Sequence, residues 1–88
     1  MSNEEHATLY ELSADDLARV ERDYIYHLPT EDQVIRYRYI RNAAKDFAVM
    51  LMASCPKSRE LSLALTHLDG VVMFANAAIA RNETTNVT

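Results

Sequence analysis

Residues 58–82, SRELSLALTHLDGVVMFANAAIARN, decide the fold of this chain. Leu61, Leu65, Leu68, Val72, Ala75 and Ile79 follow one another at spacings of four, three, four, three and four, the seam one helix offers to another. Leu63, Ala64, Val71, Met73, Phe74 and Ala78 lie off that seam, so the helix is apolar around much of its circumference. One neighbouring helix cannot cover it, and both a second helix of the chain and another subunit are expected, with Leu63, Val71 and Phe74 assigned to the contacts between subunits. Ser62, Thr66, His67 and Asn76 interrupt the run, and Asp69 near its middle would be costly in lipid, so no membrane is expected as the partner.

The mate for the seam lies upstream. Tyr37, Ile40, Ala44, Phe47 and Leu51 repeat at three, four, three and four. Thr30 and Gln33 form a capping box in front of them, with Glu31 and Asp32 where acids favour a helix N-terminus, and Cys55-Pro56 ends the run. This predicts a helix over Glu31–Ser54, then a tight connector at Pro56-Lys57 with Ser58 as the next N-cap. Two helices of that length, each about 36 Å at 1.5 Å per residue, must fold back as a hairpin. Gly70 stands within the second, where glycine costs up to about 1 kcal/mol relative to alanine, so close approach by a neighbour is expected there.

Further upstream, Ser13 and Asp16 look like an N-cap with its reciprocal acid, and Leu17, Val20 and Tyr24 recur at helical spacing, predicting a short helix over Ala14–Tyr24. Tyr24 to Leu28, closed by Pro29, reads as an extended connector. The first dozen residues have no sustained period, although Tyr10 and Leu12 could dock, and the tail 84–88 carries no helical signal. The expected architecture is all-α in a single domain 1–88: an N-terminal segment 1–29 with its short helix and connector, a long antiparallel helical hairpin over 30–83, and the tail, assembled as a homo-oligomer. Eighty-eight residues make a thin core, to which association between copies would add stability. One glycine, two prolines and no tryptophan also suit long helices rather than a sheet.

With one cysteine, Cys55, no internal disulfide can form, and without a charged-then-apolar leader a reducing cytosol is expected. The sequons at Asn82 and Asn86 are then chance. The net charge of −4 hides a segregation: residues 1–32 carry nine acids and two arginines, whereas 33–59 carry six basic residues and one aspartate. An anionic ligand is therefore compatible with an acidic chain.

In RYRYIRNAAK, residues 36–45, Arg36, Arg38, Arg41 and Lys45 can offer charge and forked donors to phosphate, while Tyr37 or Tyr39 can stack on a base. The same strip equally reads as a solvated face pairing with the acidic N-terminal segment, with Tyr37 in the seam. Tyr24, Tyr26 and His27 on the connector could wall a pocket for a nucleobase and its phosphate, or simply staple the start of the second helix. His6, His27 and His67 have no ligand spacing with one another or with Cys55, so no metal is expected. No phosphate loop, serine elbow or cysteine–base pair is present, which leaves catalysis without a constellation and predicts no enzyme and no cofactor. Met50, Met52 and Met73 read as gap-filling core.

Taken together, Tyr24-x-Tyr26-His27-x-Pro29, Asp32-Gln33, Arg36-Tyr37-x-x-Ile40-Arg41-x-x-Ala44-Lys45, Cys55-Pro56-x-Ser58-Arg59-Glu60-x-Ser62-Leu63-Ala64-Leu65-Thr66 and Ala75 to Asn82 resemble the helical-hairpin domain shared by phage anti-CBASS and anti-Thoeris proteins. The resemblance covers about residues 22–83, leaves the acidic N-terminal helix outside, and is nearest to the stand-alone anti-CBASS sponge. It implies a compact homohexamer in the cytoplasm of the infected bacterial host. The implied partners are cyclic dinucleotides such as cyclic GMP-AMP, and in some members cyclic trinucleotides at separate pockets, bound without cleavage. It further implies that Tyr26 and Arg41 serve base stacking and phosphate binding, with His27, Arg36 and Lys45 nearby and Tyr10 closing the pocket. Arg59, Ser62, Thr66 and Arg81 become candidates for a second pocket at the subunit junction.

The residues alone also allow an acidic helical adaptor or inhibitor that docks on a host protein. A module for long nucleic acid is disfavoured by the acidic total.

Overall fold

The computed structural model describes residues 7–83, which form three helices and, among themselves, no strand: α1 (Ala14–Tyr24), α2 (Glu31–Ser54) and α3 (Arg59–Asn82). Each begins at a side chain that satisfies its orphan N–H groups. Ser13 Oγ accepts from Asp16 N at 3.0 Å while Asp16 Oδ2 accepts from Ser13 N at 3.1 Å. Thr30 and Gln33 repeat the exchange at the start of α2, at 3.1 and 3.0 Å. Ser58 Oγ caps α3 through Leu61 N at 3.1 Å and donates to Pro56 O at 3.0 Å, which closes the tight link between the long helices. Caps of this kind contribute about 1 kcal/mol each, enough to place helix starts where the sequence puts them.

α2 and α3 run antiparallel with their seams together: Ile40, Ala44 and Phe47 of α2 share one groove with Leu68, Val72 and Ala75 of α3. The hairpin is fastened hardest at its ends, where Leu61 beside the link and Gln33 at the open end are the buried residues. Between them the core is thin, since no side chain among the described residues is fully enclosed. The radius of gyration is 19.3 Å, against about 12 Å for a compact domain of this length. The shape follows from that thinness: two helices can bury only the stripes that face each other.

The off-seam residues remain uncovered. Phe74 is 74% exposed, Val71 60% and Met73 67%, and Met50 and Met52 are also exposed rather than core-filling within one chain. α3 is by length and composition alone a helix that could cross a membrane, and here its seam is occupied by α2. Gly70 departs from expectation: a Cβ built on it meets nothing within 4 Å, so no neighbour in the chain requires a glycine there. α1 packs against α3 rather than α2, with Leu17 and Val20 about half exposed. Leu9, Tyr10 and Leu12 do not dock on the chain and stand open to solvent. His6, the residues before Ala7 and the tail 84–88, with Asn86 and the threonines of both sequons, lie outside the described residues.

Candidate ligand-binding site

The last turn of α1 carries Asp23, whose side chain is only 7% exposed and faces three arginines. Two come from its own helix. Arg22 Nε donates to Asp23 Oδ1 at 3.1 Å, and Arg19 Nε to Oδ2 at 3.3 Å, one helical turn away. The third, Arg81, lies in the last turn of α3 with its Nε 3.8 Å from Oδ1. The Arg22 hydrogen bond is the main cause that holds the Asp23 carboxyl below its ordinary pKa, against the opposing effect of burial and with further help from Arg81 and Arg19. One carboxylate thus pins α1 to α3 and leaves an excess of positive charge.

Cavities open on both sides of this cluster. The larger, about 650 Å³, lies between α1 and the end of α3 and is lined by Leu17, Glu21, Arg22, His27, Arg81 and Asn82 among others. The smaller, about 320 Å³, is lined by Arg22, Asp23, Tyr26, His27, Pro29, Tyr37 and Arg81, with Ile25 and Ala80. Both volumes fall within the range of small-molecule sites. The connector builds the aromatic wall: Pro29 keeps Leu28 out of a helix, the chain turns off α1 at Ile25, and His27 Nε2 reaches back to donate to the Arg22 carbonyl at 3.4 Å. Aromatic rings beside guanidinium groups form a surface for an anion that carries a flat ring system.

The sequence-derived candidates separate into groups. Tyr26, His27 and Arg81 come together here, although the sequence reading placed Arg81 in a different pocket from the other two. Arg36 is committed elsewhere: Nη1 and Nη2 donate to Glu83 Oε2 and Oε1 at 2.9 and 2.6 Å, and Nε donates to Asp32 Oδ2 at 2.9 Å. A guanidinium gripped by two carboxylates has no donor edge left for phosphate, so in this chain Arg36 is a clasp. Glu83 pushes its pKa up, and Arg36 in turn draws the Glu83 carboxyl down to about 2, aided by Gln33 and opposed by partial burial. Arg41 and Lys45 are exposed on α2, form no hydrogen bond or ion pair among the described residues, and are not in the walls of either cavity. Tyr10 is 87% exposed and also outside both.

Arg59, Ser62 and Thr66 lie on the first half of α3, where Thr66 Oγ1 donates to the Ser62 carbonyl at 3.0 Å. Arg81 follows Thr66 by fifteen helical residues, about 22 Å along the axis, so one chain does not assemble these four into a pocket. Sequence reasoning passed over Arg19, Arg22 and Asp23. The i,i+4 spacing of Arg19 and Asp23 was a legible signal, but Arg81 completes the cluster only through tertiary packing. No group of three or more metal-ligating side chains exists among the described residues.

Comparison with known proteins gave no match among curated proteins and none among solved structures. A family model did match: the Acb2/Tad1 hairpin domain, over residues 16–80. That span takes in most of α1, which lies outside the resemblance seen in the sequence, and so includes Arg19, Arg22 and Asp23 with the hairpin. Spanning most of the chain, the match shows that this protein belongs to the Acb2/Tad1 hairpin family.

Proposed function

We propose that this protein is a phage anti-defence sponge that binds cyclic dinucleotide second messengers of CBASS immunity, with cyclic trinucleotides at a second type of pocket, and withholds them without cleavage. Membership of the Acb2/Tad1 hairpin family carries the reading. The smaller, arginine- and tyrosine-lined cavity at the α1–α3 junction supports it, because a cyclic dinucleotide is an anion carrying aromatic bases. Sequestration needs donors and stacking surfaces but no nucleophile, and those are the groups the site offers. The working form is a homo-oligomer, a hexamer by resemblance, in the cytoplasm of the infected host, with no membrane or long nucleic acid as partner. Uncovered Val71, Met73 and Phe74 would be buried between subunits, and Arg59, Ser62 and Thr66 would meet residues of another copy there.

Isothermal titration of the full chain with a panel of cyclic di- and trinucleotides, followed by recovery of the ligand after denaturation, tests this reading. Tight binding with intact ligand recovered is the expected result. Absence of binding across the panel removes the sponge, and a cleaved ligand converts it into an enzyme.

A second reading, an acidic adaptor for a host protein, draws on α1, whose exposed Leu17 and Val20 accompany Asp15 and Asp16. Asp15→Lys together with Val20→Ser, which leaves the walls of both cavities untouched, should abolish an adaptor's activity and spare a sponge's binding.

A further inference from the structure

Three arginines share one carboxylate at the α1–α3 junction, which leaves them donors to spare. Each turns its Nε toward Asp23, and among the described residues the terminal amino groups of all three make no hydrogen bond. Arg22 and Arg81 both line the 320 Å³ cavity whose walls include Tyr26, His27 and Tyr37, and Asp23 is the one acid in that wall. The cavity therefore has a net positive lining, two guanidinium groups with free forked edges, and rings beside them. Arg41 and Lys45, the strongest phosphate donors by sequence, are not in its wall.

We infer that Arg22 and Arg81 are the pair that takes a phosphate of the ligand, and that Asp23 is the positioning residue that aims them. The inference rests on reading the site as one for a cyclic oligonucleotide, and it names which residues of this chain do the work. A guanidinium on a free side chain samples many rotamers and loses that freedom on binding. Here Asp23 fixes Arg22 through a hydrogen bond and draws Arg81 toward it by charge across 3.8 Å, so less entropy is lost when the anion arrives. The same carboxylate places α1 against α3, so the site exists only when the N-terminal helix is docked.

The two oxygens of Asp23 divide the work in a testable way. Oδ1 accepts from Arg22 and lies nearest Arg81, while Oδ2 serves Arg19. Asp23→Asn keeps an oxygen at the Oδ1 position for the Arg22 hydrogen bond but removes the charge that draws in Arg81, so one of the ligand-facing pair stays aimed. Asp23→Ala releases both.

The experiment is titration of the full chain with 3′,3′-cyclic GMP-AMP at low and high salt, with thermal unfolding as a control for each variant. Arg22→Gln and Arg81→Gln are each expected to weaken binding by about tenfold or more, as loss of a charge-assisted pair does, and the gap to wild type should narrow as salt screens it. Arg22→Lys and Arg81→Lys recover part of the affinity and guard against a folding defect. Asp23→Ala is expected to lose about tenfold, and Asp23→Asn to recover the part of that loss that belongs to Arg22, which a merely structural role would not produce without a parallel change in melting temperature. If wild type binds but the two glutamine variants bind equally well, the assignment is overturned while the sponge reading stands. If wild type does not bind 3′,3′-cyclic GMP-AMP the assignment falls, and the sponge reading falls with it only if the rest of the panel also fails to bind.

Discussion

Arg36 and Glu83 meet through two parallel hydrogen bonds of 2.9 and 2.6 Å, which tie the first turns of α2 to the C-cap of α3 forty-seven residues later. Gln33 lies against the same glutamate, with Nε2 3.4 Å from both its backbone oxygen and Oε1. The helix that needs a stop and the helix that needs a start are thus held by one cluster. Because Arg36 holds the Glu83 carboxyl at about 2, below its ordinary 4.5, the pair adds stability fully above pH 4.5 and loses it as pH falls toward 2. Thermal unfolding at fixed protein concentration should show this loss in wild type. Glu83→Gln should flatten the acid limb and lower the melting temperature near neutrality by about 5 °C or less, since both partners are partly exposed.

Gln33 has a larger structural role than its neighbour in the capping box. It is buried, returns the cap to Thr30 N, and contacts Glu83 across the hairpin. Gln33→Ala is expected to cost about 1–2 kcal/mol, more than Thr30→Ala at about 1 kcal/mol. Denaturant midpoints of the two variants check the order.

Gly70 offers a stabilising change. A Cβ there meets no atom within 4 Å and the residue has ordinary helical geometry, so Gly70→Ala should gain up to about 1 kcal/mol from backbone entropy alone. A rise in melting temperature is the expected outcome. A fall would mean that another subunit approaches α3 at this point.

Val71 lines an apolar groove of about 460 Å³ with Ile40, Ala43, Phe47 and Leu68, and is 60% exposed. Val71→Asp places a charge on the surface proposed to meet other subunits, where an unpaired charge is strongly disfavoured. Native mass measurement should show smaller assemblies than wild type, with helical content retained by circular dichroism. An unchanged mass would move the subunit interface elsewhere.

Tyr26 is 78% exposed at the rim of the smaller cavity, placed to stack on a base. Loss of such a stack is worth about 1–3 kcal/mol, so Tyr26→Ala should weaken cyclic dinucleotide binding by about five- to a hundredfold, and Tyr26→Phe should keep it. Tyr10→Ala provides the comparison, since Tyr10 reaches neither cavity in one chain.

Local chemistry was enough to write down the three helices. Capping residues act within three positions, and Pro29 and Pro56 act on their immediate neighbours, so Ser13, Thr30 and Ser58 mark their helix starts whatever the rest of the chain does. The seams at Tyr37–Leu51 and Leu61–Ile79 likewise required a hairpin, because apolar stripes of equal length and period have one economical way to be buried together. Site residues were less legible. Arg36 and Arg41 look alike in a sequence, yet Glu83 occupies one and leaves the other bare, because a distant C-cap happens to fall within reach of the first alone. Arg81 changed company for the same reason: α1 folds back onto the end of α3 and puts Asp23 beside it, more than fifty residues away along the chain. Pairings of charge across that distance depend on how helices cross, and only the tertiary structure decides that.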